Sequence, residues 1–212
     1  MLKVNEIFYS IQGESSYAGL PCVFIRLTYC NLRCTYCDTE YAFYEGEDLS
    51  IDEIISEIKK YKCNIVEVTG GEPLMQKESF ELLKRLCDQS FDVLLETSGS
   101  ISIEEVDKRV KIIMDLKTPS SGMMEKNLLT NLNFLKSSDE IKFVIADRDD
   151  YDWSKQIIQK FYLAERCSIL MGCVFGNLQP VELANWILQD QLNVRFQLQL
   201  HKYIWDPVKR GV

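Results

Sequence analysis

The sequence predicts an α/β fold, a partial (β/α) barrel of about six or seven mainly parallel strands in one domain over residues 1–212. Three observations predict it. Short runs rich in Val and Ile alternate with segments of helical period. The connectors between them are brief and polar. The length, 212 residues, suits a single core. Parallel neighbours need crossovers, which are right-handed, so the alternation implies one wound sheet with helices on its outside.

Seven segments read as strands: Val23–Leu27, Ile65–Thr69, Val93–Glu96, Lys111–Asp115, Ile141–Ile145, Ser168–Met171 and Val194–Leu198. Helices are expected in the intervals. The clearest is Ile51–Tyr61, where Ser50 and Glu53 form a capping box and Ile51, Ile54, Ile55 and Ile58 share one face. Phe80–Leu86, Tyr151–Tyr162 and Val181–Leu188 follow the same pattern.

Composition narrows the function. Hydrophobic residues make up 46% of the chain and charged residues 26%, so a real core is available. Lys and Arg total 24 against 32 Asp and Glu, and the net charge of −8 excludes a diffuse attraction to phosphate backbones or anionic lipid. No direct nucleic-acid or membrane partner is expected. The N-terminus MLKVNEIFYSIQGE has no signal-peptide pattern, and no stretch approaches the ~20 apolar residues of a spanning helix, so a cytoplasmic location is expected.

Eight cysteines in such a chain point to thiolate ligands rather than disulfides. Cys22, Cys63, Cys87, Cys167 and Cys173 lie apart in apolar surroundings and read as small buried hydrophobes. Cys30, Cys34 and Cys37 cluster as C-x3-C-x2-C directly after the first predicted strand. Three soft thiolates at that spacing suit one face of a cubane iron–sulfur cluster, leaving one iron open to a small chelating molecule. Zinc is the rival reading; a structural zinc needs a fourth ligand, for which Cys22 and His201 are the nearest candidates.

This loop resembles that of the radical S-adenosylmethionine superfamily, in which Tyr36 matches a commonly aromatic position. Val68-Thr69-Gly70-Gly71-Glu72-Pro73 resembles the family's Gly-Gly-Glu-Pro segment: paired glycines allow close backbone approach, and Glu72 can accept from an ammonium. The resemblance implies a 4Fe-4S cluster on Cys30, Cys34 and Cys37, with S-adenosylmethionine cleaved there to start radical chemistry. Tyr36, Cys37, Asp38, Gly71 and Glu72 would hold S-adenosylmethionine.

Within the superfamily the chain is similar, end to end, to the 7-carboxy-7-deazaguanine synthase family. Phe8-Tyr9-Ser10-Ile11-Gln12-Gly13-Glu14-Ser15 resembles its F-x-T/S-x-Q-G-E-G stretch, with Ser15 in place of the usual glycine. Asp38-Thr39 resembles its C-D-T signature, implying that Thr39 ligates Mg²⁺. Asp115-Leu116-Lys117 lies in a D-x-K-x-P-x-S-G-like loop and would contact S-adenosylmethionine. The resemblance implies Ile11, Gln12, Gly13, Glu14, Arg26, Thr69 and Val212 as substrate-binding residues for 6-carboxy-5,6,7,8-tetrahydropterin, Arg26 facing the carboxylate as a fork. It further implies a lyase of queuosine and deazapurine biosynthesis, a homodimer, and an electron donor such as flavodoxin or ferredoxin. His201 reads as a structural hydrogen-bonder. The rivals are an activating enzyme for a glycyl-radical protein and a non-catalytic zinc-stabilised binding module.

Overall fold

A computed structural model describes residues 1–212. In chain order the elements are β1 (Leu2–Ile11), β2 (Pro21–Leu27), β3 (Glu47–Leu49), α1 (Ile51–Ile58), β4 (Ile65–Gly70), α2 (Glu78–Asp88) and β5 (Asp92–Thr97). They continue with β6 (Lys111–Asp115), β7 (Glu140–Ile145), α3 (Arg148–Lys160), β8 (Ser168–Cys173), α4 (Pro180–Gln189), β9 (Arg195–Phe196) and α5 (His201–Ile204). All nine strands form one open sheet of order β3-β1-β2-β4-β5-β6-β7-β8-β9.

From β2 to β9 every neighbouring pair is parallel, whereas β1 joins β2 and β3 antiparallel. The run of seven parallel strands is the predicted one, and its sheet does not close. Two strands are additional. β1 escapes a pattern reading because its register shifts between Val4 and Glu6, so no single alternation of apolar and polar residues runs its length. β3 has only three residues, two of them exposed.

The expectation of a helix in every interval is corrected. Between β5 and β6, and between β6 and β7, the chain makes turns and short 3-10 segments instead. Ile103, Val106, Val110 and Leu132 still reach the core from these turns, so the apolar positions are used without helical period. The capping box of α1 forms as expected: Ser50 Oγ accepts from the Glu53 N–H at 3.2 Å, and Glu53 Oε2 accepts from the Ser50 N–H at 2.8 Å.

The two faces of the sheet divide the labour. Val23, Ile25, Val68, Leu95, Met114, Phe143 and Met171 point to the side of α1–α4 and join a single core cluster of 37 buried residues. The inner face holds only two apolar clusters of three, Phe8-Cys22-Phe24 and Leu94-Ile113-Leu170. Stability therefore lies on the outer side, and the inner face is free to carry polar residues.

Candidate active site

The inner face and the loops at the C-terminal ends of the strands enclose a cavity of about 280 Å³. That is the end of a parallel α/β sheet at which ligands are bound. Cys30, Cys34 and Cys37 sit on its wall, all free thiols. Their loop is pinned from both sides. The Tyr29 N–H donates to Ala42 O at 2.9 Å, Thr35 N–H to Ser121 O at 3.1 Å and Thr35 Oγ1 to Ser120 O at 2.6 Å. Burial pushes all three thiols above their ordinary range, so the thiolate form depends on a cation at the site.

The Gly-Gly-Glu-Pro turn abuts that loop. A Cβ at Gly71 would fall on Tyr29 O and the Cys30 side chain, so glycine is required for the approach. The Glu72 N–H donates to Tyr29 O at 2.8 Å. The Glu72 carboxylate is fully buried behind the wall, where it accepts from Thr97 Oγ1 at 2.8 Å, the Ser98 N–H at 2.8 Å and the Leu74 N–H at 3.1 Å. Its observed contacts are thus to β5 and its own turn.

On β6, Asp115 Oδ2 pairs with Lys117 Nζ at 2.9 Å, while Asp115 Oδ1 is buried and has no partner. Leu116 points into the core and offers only its backbone, whose N–H donates to Lys142 O at 2.9 Å. The Tyr36 hydroxyl lies 3.2 Å from Thr118 Oγ1, and burial pushes its phenol up to about 12. Beyond the last cysteine, Thr39 Oγ1 donates to Asp38 Oδ1 at 2.8 Å and Lys202 Nζ meets Asp38 Oδ2 at 2.6 Å.

The expected substrate residues gather on the opposite wall. Register places Arg26 beside Thr69 across β2 and β4, and the Thr69 hydroxyl donates to Glu96 Oε2 at 3.2 Å. Arg26 Nε donates to Glu6 Oε1 at 2.7 Å, and its guanidinium lies by the Phe8 and Tyr41 rings, 5.6 Å and 5.9 Å from their centroids. Its two terminal nitrogens make no hydrogen bond within the chain. Gln12 is spanned by its neighbours: its Oε1 accepts from the Glu14 N–H at 3.0 Å, and its Nε2 donates to Glu67 Oε2. At Gly13 a Cβ would fall on the His201 ring, and Gly13 O accepts from the Leu200 N–H at 2.9 Å. Ile11 and Val212 also line the cavity, with the tail from Pro207 onward and Arg210 stacked 3.8 Å from the Tyr41 centroid.

Four lining residues were not singled out as ligand-binding from the sequence. Lys142 on β7 pairs with Glu14 Oε2 at 2.9 Å, with Glu96, and with Asp115 Oδ2 at 3.7 Å. Burial opposes its charge, but Glu14 and Glu96 hold the ammonium well above its ordinary range. Glu96, despite burial, is held below its usual range by that ammonium. Glu67 is pushed well above the usual carboxylate range by burial and by Glu96. Burial lowers His201, against the pull of Glu14. The available signal was a charge inside an apolar strand run, as in Ile65-Val66-Glu67-Val68.

The donor set fits the cluster and S-adenosylmethionine. Three free thiols share one wall, and the Leu32 N–H already points at Cys30 Sγ at 3.4 Å, the kind of hydrogen bond that tunes a cluster sulfur. Asp115 Oδ1 is an acceptor waiting for a ligand donor. No three His, Cys, Asp or Glu side chains converge on a single ion anywhere in the chain.

The model of the Radical SAM superfamily matches residues 24–176. The 7-carboxy-7-deazaguanine synthase of Chlorobaculum tepidum is 50% identical over all of this chain and 97% of its own. That of Koribacter versatilis is 42% identical over the full length of both. Among solved structures, QueE from Escherichia coli superposes with a TM-score of 0.74 over 92% of this chain and 93% of its own, at 20% identity, and so shares the fold. With a cysteine loop, a Gly-Gly-Glu-Pro turn and a polar inner face in one cavity, and with relatives of this identity over full length, the chain belongs to the radical S-adenosylmethionine superfamily and, within it, to the 7-carboxy-7-deazaguanine synthase family.

Proposed function

We propose that this single-domain chain converts 6-carboxy-5,6,7,8-tetrahydropterin to 7-carboxy-7-deazaguanine with loss of ammonia. One observation carries the reading: the cysteine wall and the Arg26–Thr69–Glu96 row face the same cavity. When bound, the cluster and S-adenosylmethionine supply a carbon-centred radical that takes a hydrogen atom from the substrate. The chain's own residues hold the substrate still and dry. Arg26, with both terminal nitrogens unspent and its Nε fixed by Glu6, binds the carboxylate as a fork. Thr69 and the loop at Gln12 and Gly13 set the ring plane, and the tail ending at Val212 covers the cavity. Orientation of this kind is worth several orders of magnitude in rate.

Asp115 and Lys117 anchor S-adenosylmethionine beside Cys34, Tyr36 and Gly71. The Thr39 hydroxyl, held by Asp38, would be the protein's hard oxygen for a Mg²⁺, which would help hold the substrate. Glu72 serves from behind, fixing the turn on which Gly71 approaches the cysteine loop. The enzyme takes electrons from a small carrier such as flavodoxin or ferredoxin and works as a homodimer. Eight free thiols and the absence of any helix long and apolar enough to cross a membrane are in keeping with a cytoplasmic place.

The test is anaerobic reconstitution with iron and sulfide, followed by assay with reductant, Mg²⁺, S-adenosylmethionine and the pterin. The expected result is 7-carboxy-7-deazaguanine and ammonia in equal amounts. Protein with an intact cluster that forms neither would overturn the reading.

A further inference from the structure

One buried acid has no part in the chemistry above. Glu67 sits in the middle of β4 on the inner face, 3% exposed, and lines the cavity. Register places it between Phe24 of β2 and Leu94 of β5, one step deeper than the row of Arg26, Thr69 and Glu96. Its surroundings form a slot. Phe8 and Phe24 stack with centroids 4.8 Å apart and planes at 10°, giving a flat apolar wall, and Leu94 packs with Ile113 and Leu170 on the other side. Such a slot suits the face of a flat heterocycle.

The polarity of the acid is fixed by its neighbours. The Glu14 N–H donates to Gln12 Oε1, so the Gln12 amide must turn its NH₂ toward β4, where it donates to Glu67 Oε2. The only side-chain hydrogen bond Glu67 makes within the chain is through Oε2, which leaves Oε1, the second oxygen, facing the cavity. A free acceptor on a buried residue is an opening for a ligand donor. Arg26, the donor end of the site, lies one row nearer the mouth.

We propose that Glu67 is a specificity-determining residue that reads the amino-bearing edge of the substrate ring: Oε1 accepts from an exocyclic amino group at the deep end of the cavity, while Arg26 holds the carboxylate at the other. This deepens the reaction proposed above and rests on it for the ligand class, a 2-aminopyrimidinone ring bearing a carboxylate. A ring with an oxo group in that place sets two acceptors face to face and is rejected.

The test uses the cluster-loaded enzyme and two stable ring analogues, pterin-6-carboxylate and its 2-oxo counterpart lumazine-6-carboxylate, titrated anaerobically by calorimetry. The wild-type enzyme is expected to favour the 2-amino ring at least tenfold. Glu67→Leu, an apolar replacement in an apolar slot, brings the ratio to about one by removing the acceptor. Glu67→Gln inverts it, because Gln12 takes the new amide oxygen and leaves the new NH₂ facing the cavity. Absence of discrimination in the wild type, or a wild-type ratio kept by either folded variant, overturns the inference. Product formation by the wild type is scored separately: discrimination without product removes the proposed reaction and leaves this assignment, and product without discrimination does the reverse.

Discussion

Gly13 shows how much a missing atom can carry. It is not held in a left-handed conformation; it is glycine because the His201 ring occupies the place of a side chain. Gly13→Ala must push α5 and the tail outward, and displacements near 1 Å in a positioning loop are costly to rate. Turnover of the pterin is expected to fall at least tenfold with iron and sulfide content unchanged, which parallel kinetics and metal analysis will check. At this scale the cysteines, Gly71 and Thr39, all of which line the cavity, stood out in the sequence because each belongs to a short contiguous motif. Glu67, Glu96 and Lys142 were not, since their importance comes from strand register that sets residues 29 and 46 positions apart side by side. A lone charge in an apolar run signals burial without naming its partner.

The strands and helices of the βα repeats were read close to their observed bounds because tertiary packing there agrees with local period. The helix-free crossover from β5 to β6 was not, and it is held by a side-chain clamp in place of a packed helix. Arg109 Nη2 pairs with Asp107 Oδ2 at 2.7 Å and with Asp88 Oδ1, on the last turn of α2, at 2.7 Å. The Arg109 guanidinium holds the Asp107 carboxyl down at about 2, whereas an unfolded aspartate titrates at about 3.9. The clamp therefore contributes fully above about pH 4 and is lost as pH falls toward 2. Arg109→Met is expected to lower the urea midpoint slightly at neutral pH, with the difference from wild type shrinking as pH falls through about 2. A pH series of denaturation midpoints measures it, and a difference constant with pH would contradict the clamp. The contribution is small, since all three groups are partly exposed.

Across the whole molecule, Lys142 is the node that joins parts distant in sequence. Its ammonium holds Glu14 from the N-terminal loop, Glu96 from β5 and Asp115 from β6 around one buried charge. Lys142→Met leaves Glu14 and Glu96 facing each other without a cation, while Asp115 keeps Lys117, a loss of about 3–5 kcal/mol where a buried charge is stranded. Equilibrium unfolding of the cluster-free protein should show that loss, and the holoenzyme should lose its activity with the geometry of the inner face. The open, mainly parallel architecture was legible from the alternation of elements; the antiparallel flank was hidden by the bulge in β1 and the brevity of β3.

That flank has a use beyond completing the sheet. Both rims of the nine-stranded sheet are blunt, with three residues in β3 at one side and two in β9 at the other. A long bare rim is a template on which another chain can lay down a strand and begin an aggregate. The outermost strands themselves offer only three and two residues to copy, so β3 and β9 are poor templates at the rims of a parallel sheet that assembles slowly from distant segments.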